Sequence, residues 1–325
     1  MRPQIELDGD ALRANVAAFA ALGAPVAAVV KQNGYNWGVE RLVREIDDCV
    51  DSYVVADEDE LAALRPYTAR PVRLLADAPP GRLARVLDLG GIPNVSTRAA
   101  LEEALALAQA RGGLTVRVGV LDAAGWSAIV PEQVEAFAAA CARGPLRVEL
   151  WTHWTSPQRE DAILRAVTLA AGQFAAAGVP VVSIDSDSTA LAGLRAVADN
   201  TRLRIGVGLF GARLGGSLAL RCALRVRAPV VRRYASGPRW AGYGDRAIPR
   251  ERAVAVLRCG YGDGFPKGLA GSADILAVGM QYTTRLDGSQ DGEPVLLIGP
   301  DSDIDALCTQ AGITPHELVT GLAPR

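Results

Sequence analysis

Lys31 is one of two lysines in a 325-residue chain that otherwise writes its 34 basic positions as arginine, and it ends the apolar run of "VVKQNGYNWG". A lysine whose stem lies in an apolar mouth loses solvation of its ammonium. Its pKa falls, and the neutral amine can form a Schiff base with an aldehyde cofactor. The competing reading is a stem laid along apolar surface with the charge carried out to water. His153, one of two histidines, follows "RVELWT" at a strand end, where a histidine serves equally well as a hydrogen-bonded structural residue. Arg204 alternates with apolar neighbours in "RLRIGVG" and, turned inward, needs a partner. Tyr243 in "WAGYGD" and Tyr261 in "CGYGDG" are flanked by glycines, which on their own mean a turn with an aromatic lid. Cys49, Cys141, Cys222, Cys259 and Cys308 lie far apart without paired spacing. They suggest neither a disulfide framework nor a metal site, and read as small buried apolar residues.

These residues need a scaffold, and the chain is long enough for one large barrel or two domains. Short β-branched runs at 26–30, 52–56, 72–75, 93–96, 114–120, 147–152, 179–184 and 203–207 alternate with helical stretches such as "STRAALEEALALAQARG" and "PEQVEAFAAACARG". In the latter, apolar residues recur at three and four and a glycine closes the end. Eight such units predict an α/β fold, a (β/α)8 barrel of the TIM type, whose active site lies at the C-terminal ends of the strands, where Lys31 stands. A doubly wound open sheet has the same periodicity and is the alternative. Beyond about Gly216 the helices nearly stop, and "RCALRVRAPVVRRYASG", "RAVAVLRCGYG", "ADILAVG" and "PVLLIG" read as short strands between turns. The expectation is a barrel over residues 1–216 and a mostly-β C-terminal domain over 217–325, with the first strand, residues 1–8, able to join the second part.

The net charge of −2 argues against nucleic acid or a membrane surface as partner and favours a small molecule. The N-terminal "MRPQIELDGDALRANVAAF" lacks the basic and apolar regions of a signal peptide, and no apolar run approaches 20 residues, so a cytoplasmic protein is expected.

The segments "IELDGDALRANV", "AVVKQNGYNWG", "WTHW", "DSDSTALAGLR", "RLRIGVGLFG", "WAGYGD", "CGYGDGFPKG" and "ITPHELVTGLAPR" together resemble, in this order and over essentially the whole chain, the alanine racemase family. Members of that family are pyridoxal 5'-phosphate (PLP) enzymes with a barrel followed by a β domain. Against the family's V-V-K-A-N-A-Y-G-H-G the chain keeps Lys31, Asn33, Tyr35 and Gly38. The resemblance implies that Lys31 carries the cofactor and that Tyr35, Ser188 and the amides of Gly206 and Val207 hold its phosphate. These are also groups able to supply hydroxyl and N–H donors to a phosphate, although Ser188 by itself reads as a helix cap. It further implies that His153 packs near the cofactor ring and that Arg204 faces the pyridine nitrogen. An arginine does not give up its proton, so that nitrogen would stay unprotonated, which suits proton exchange. Tyr243 would be the second catalytic base, delivered across a homodimer interface to the face opposite Lys31, because racemisation needs one group on each side of the α-carbon.

The substrate side departs from the family. Where the family has K-V-D-T-G-M-G-R-L-G, this chain has "RVGVLDAAGWSAI", with Arg117 for the lysine and Trp126 about where the arginine falls. R-x-C-M-D-Q has become "AVGMQYT", which keeps Met280. Gln158 stands where an acidic residue is expected, and the chain stops at Arg325 before the family's terminal tyrosine. Arg117 is then the nearest cation able to grip a substrate carboxylate, with Met280 and Tyr261 on the substrate side. The favoured activity is an amino-acid racemase or epimerase whose substrate need not be alanine. The alternatives are another PLP reaction (decarboxylation, elimination or retro-aldol cleavage) and a non-catalytic PLP-binding protein.

Overall fold

The computed structural model describes residues 2–121, 126–153, 160–187, 200–214, 216–235, 240–242, 246–248, 252–272, 274–286 and 293–323. A first strand, β1 (Gln4–Leu7), is followed by β2 (Val26–Val29), β3 (Ser52–Val55), β4 (Val72–Asp77), β5 (Gly91–Asn94), β6 (Leu114–Gly119), β7 (Leu146–Trp151), β8 (Val181–Ser186) and β9 (Thr201–Ile205). Strands β2 to β9 pair in parallel and in order, and β9 returns to β2 through Val26↔Leu203 and Ala28↔Ile205, so the sheet is a closed barrel. Closure rules out the open sheet and leaves no edge to protect. Each expected strand overlaps an observed one. The largest displacement at a strand start, two residues, is shared by β5, β8 and β9. In β5, Gly91 passes beneath the helix Glu58–Leu64, where a Cβ would come within 2.5 Å of Leu61.

The strands are short and apolar because both faces are covered: all four residues of β2 are buried, as are all four of β3. Between β5 and β6 the helix Arg98–Arg111 shows how the outer layer forms. Thr97 accepts the Ala100 N–H at its start, and Gly112 takes the left-handed conformation (φ 72°) at its end. Leu101, Ala104, Leu105 and Ala108 recur on one face and pack with Val116, Val118 and Leu150 of the barrel. Each buried leucine contributes roughly 1.5–3 kcal/mol.

The barrel interior is not wholly apolar. Arg73 of β4 bonds Glu149 of β7 through Nε at 2.6 Å and Nη2 at 3.0 Å, and Arg117 of β6 bonds Asp185 of β8 at 2.8 Å. These strands are not neighbours, so the side chains meet only across the interior. Arg202 of β9 adds a second bond to Asp185 at 2.9 Å.

The chain divides into two compact units, one of Val16–Gly34 and Gly38–Gly206, the other of Met1–Asn15, Tyr35–Trp37 and Val207–Arg325. The second unit is mostly β. Its strands are β1, β10 (Leu224–Ala228), β11 (Val230–Tyr234), β12 (Trp240–Ala241), β13 (Arg246–Ala247), β14 (Val254–Leu257), β15 (Ile275–Val278), β16 (Thr283–Leu286) and β17 (Val295–Ile298). They form antiparallel sheets in the orders β1-β10-β17, β11-β14-β16-β15 and β12-β13. Strand pattern alone passed over two helices at the end, Ile304–Ala311 and Pro315–Leu322. Both carry start signals: Asp303 caps the first, and Thr314 with Glu317 forms a capping box on the second.

Candidate active site

Lys31 stands two residues past β2, and the backbone after it does something unusual. Gln32, Asn33, Gly34, Tyr35 and Asn36 all have positive φ, between 49° and 69°. A left-handed turn of mostly non-glycine residues costs about 1–2 kcal/mol per residue, so the surroundings must hold it. Asn33 does so from within, accepting the Val39 N–H on its side chain at 2.9 Å and the Gly38 N–H on its carbonyl at 3.0 Å. Glu60, from the helix after β3, accepts the N–H groups of Gln32 and Ala56 and so ties the end of β2 to the end of β3. Gly34 is needed twice over: its φ is 63°, and a Cβ would lie 2.8 Å from Leu42.

Four more side chains gather at this mouth. The Lys31 ammonium lies 5.8 Å from the ring centroid of Trp126, and that ring lies 4.2 Å from the imidazole of His153. His153 is paired through Nδ1 with Asp187, just past β8. Arg204 of β9 donates from Nη2 to the Thr152 carbonyl at 2.7 Å and has Asp187 at 3.8 Å. Its Nη1 is buried with no partner among the described residues. Burial pushes the Lys31 amine below the ordinary lysine value, and the charge of Arg204 adds to this, while Glu60 and Asp187 pull the other way.

Arg117, expected to hold a substrate carboxylate, is instead part of the barrel. Its side chain is fully buried, and its two terminal nitrogens are spent on the Leu74 carbonyl at 2.7 Å and on Asp185. The Trp151 ring lies 5.6 Å from the Arg117 guanidinium and 5.4 Å from that of Arg204, with its own Nε1 donated to Asn94.

The remaining expected residues divide as follows. Gly206 ends the barrel unit, and Val207, buried, opens the short turn Val207–Phe210 of the other unit. Within that second unit Tyr35 is buried edge-on against Phe210 at 5.5 Å, and Trp37 donates its indole N–H to the Val319 carbonyl at 2.9 Å. Tyr261 and Met280 stand together there, both exposed, with the Gly262 N–H on the Met280 carbonyl at 2.8 Å. Ser188, Tyr243 and Gln158 lie outside the described residues.

Residues 7–214 match the family described as alanine racemase, N-terminal domain. The chain belongs to this family. Among curated relatives it is 27% identical to the alanine racemase of Methylobacterium sp. strain 4-46 over 329 residues, covering 94% of this chain and 90% of that one. It is 28% identical to that of Halorhodospira halophila, covering 97% and 94%. Among solved structures it resembles alanine racemase from Acinetobacter baumannii with a TM-score of 0.83 at 17% identity, covering 100% of this chain and 98% of that one. Alanine racemase from Bartonella henselae, solved with covalently bound pyridoxal phosphate, matches with a TM-score of 0.78 at 19% identity and the same coverage. These structures share the barrel followed by a β domain.

Within this family frame, sequence reasoning missed Asp187 and the placement of Trp126 against Lys31 and His153. A signal for Asp187 existed, since "DSDS" puts an acid just beyond an apolar strand. Nothing in the sequence named its partner.

Proposed function

We propose that the protein is a PLP-dependent amino-acid racemase or epimerase working by two-base exchange of the α-proton. The observation that carries this reading is Lys31: an amine depressed by burial and by Arg204, at the C-terminal end of a barrel strand, in a turn held against its own strain. The residues present fit the cofactor. The buried Nη1 of Arg204, which has no partner among the described residues, is a donor that a pyridine nitrogen could accept from, and Lys31 is the amine that an aldehyde requires. Lys31 would hold the cofactor covalently, His153 would lie beside its ring, and Tyr35, Ser188 and the amides of Gly206 and Val207 would hold its phosphate.

Bound there, PLP would draw electrons from the α-carbon of an attached amino acid and so acidify its α-proton. Lys31 takes or returns that proton on one face. Tyr243, supplied by a second copy of the chain, does so on the other. Arg204 keeps its own protons and leaves the pyridine nitrogen unprotonated, which limits the electron draw to what proton exchange needs. No described helix is long and apolar enough to cross a membrane, and we place the enzyme in the cytoplasm as a homodimer. The relatives named alanine racemase are at most 28% identical among those compared, which supports an amino-acid substrate without fixing it as alanine.

The test is incubation of PLP-loaded protein with a panel of L- and D-amino acids in heavy water. Deuterium at the α-carbon with inversion of at least one amino acid is expected. Loss of carbon dioxide, ammonia or an aldehyde in place of inversion would move the protein to another PLP reaction.

A further inference from the structure

Asp187 follows β8 directly and meets two residues carried by other strands. Its carboxylate pairs with Nδ1 of His153, which stands just past β7, and its Oδ1 lies 3.8 Å from Nη2 of Arg204 in β9. The same Nη2 donates to the carbonyl of Thr152, the residue before His153, at 2.7 Å. Carboxylate, imidazole and guanidinium thus form one cluster, with Trp126 against the imidazole ring.

The two nitrogens of an imidazole are not equivalent, and an acceptor beside one of them keeps the proton there. With Nδ1–H turned to Asp187, the lone pair of the neutral ring lies on Nε2. Arg204 is constrained likewise. Its Nη2 is occupied, and Nη1 is left as the nitrogen without a partner among the described residues.

We propose that Asp187 is a positioning residue of the barrel mouth: it fixes His153 as the Nδ1–H tautomer and steadies Arg204, so that Nε2 and Nη1 are the nitrogens offered to the bound ring. This rests on the cofactor reading above and goes beyond it by assigning a nitrogen to each residue and a cause to the assignment. Charge points the same way. Lys31, His153 and Arg204 bring positive or potentially positive groups to one mouth. The described carboxylates acting on Lys31 are Asp187 from the end of β8 and Glu60 from the helix Glu58–Leu64. Burial and Arg204 lower the Lys31 pKa, and Asp187 opposes both. Loss of the Asp187 charge therefore lowers it further. Because the neutral amine is the nucleophile, cofactor attachment should then begin at lower pH.

The experiment uses the full chain labelled with 15N-histidine. Only His153 and His316 report, and His316, on the C-terminal helix, serves as the internal reference. In alkaline buffer the wild-type nitrogen shifts should show His153 as Nδ1–H. Asp187→Asn, whose carboxamide donates as readily as it accepts, should let the Nε2–H tautomer appear, and Asp187→Glu should restore the first form, with His316 unmoved throughout. On addition of PLP, covalent attachment followed by visible absorbance should begin at lower pH in Asp187→Asn. α-Deuteration by the loaded variant should fall roughly tenfold or more in kcat/KM, the usual scale for loss of a residue that orients a functional group. Wild-type His153 in the Nε2–H form would overturn the proposal without any variant. So would an Asn variant with unchanged tautomer and unchanged attachment pH. A wild-type protein that never attaches PLP would instead remove the cofactor reading, and the tautomer measurement would still decide the role of Asp187.

Discussion

Lys31 and Lys267 offer an internal comparison. Lys31 is half-buried beside Arg204 and depressed, whereas Lys267 is exposed in a short turn with its ammonium 5.7 Å from the Tyr261 ring. A depressed amine at the barrel mouth has the neutral form that an aldehyde requires. Borohydride reduction of the PLP-loaded protein, followed by peptide mapping, should therefore mark the peptide containing Lys31 and leave that containing Lys267 unmarked. Marking of Lys267 alone would sink the cofactor assignment. Lys31, His153 and Arg204 were legible in the sequence because each is a rare residue type, or a charged one in an apolar strand, at a strand end. The left-handed turn was not, although "KQNGYN" holds the Asn and Gly residues that such a turn favours, because Gln and Tyr have no preference for it. Asp187 and Trp126 were invisible in their roles because contact across a barrel mouth has no fixed spacing along the chain.

The strands illustrate what periodicity can and cannot deliver. Eight apolar runs located β2 to β9 to within a few residues, since a strand covered on both faces reads as a mostly apolar run. What the pattern concealed was that some of these strands turn charges into the barrel: Arg73 in β4, Arg117 in β6, Glu149 in β7, Asp185 in β8 and Arg202 in β9. Burial would push the Asp185 carboxyl up, yet Arg117, Arg202, Arg73 and Arg204 outweigh it and hold the group below the ordinary carboxylate value. We read Arg117 as scaffold, since its two terminal nitrogens are spent on the Leu74 carbonyl and on Asp185. Arg117→Ala leaves Asp185 with Arg202 but strips its fully buried partner, a change that costs about 3 kcal/mol. The expected outcome is a large drop in the urea midpoint of unfolding with KM for the amino acid little changed. A raised KM at unchanged stability would return Arg117 to the substrate.

At the scale of the whole molecule, the proposed two-base scheme demands more than one chain. If Lys31 and Tyr243 serve opposite faces of the α-carbon, Tyr243→Phe removes one proton carrier and leaves the other in place. By analogy with the family, Lys31 acts on the D enantiomer and Tyr243 on the L. The variant should attach PLP normally and still exchange solvent deuterium into the D enantiomer. Exchange into the L enantiomer should slow by roughly 10²–10⁴, the contribution of a positioned acid–base group. The partner-supplied tyrosine is then testable by mixing. Lys31→Ala protein is inactive by itself, but a mixed dimer with Tyr243→Phe holds one site in which an intact Lys31 meets an intact Tyr243 from the other chain. Subunit exchange between the two proteins, each deficient in racemisation, should therefore restore part of it, at most one working site per mixed dimer. Two variants that exchange subunits, as followed by differently tagged chains, yet stay inactive would place both bases on one chain. Unchanged exchange into both enantiomers in Tyr243→Phe would instead end the two-base scheme and leave Lys31 as the sole proton carrier.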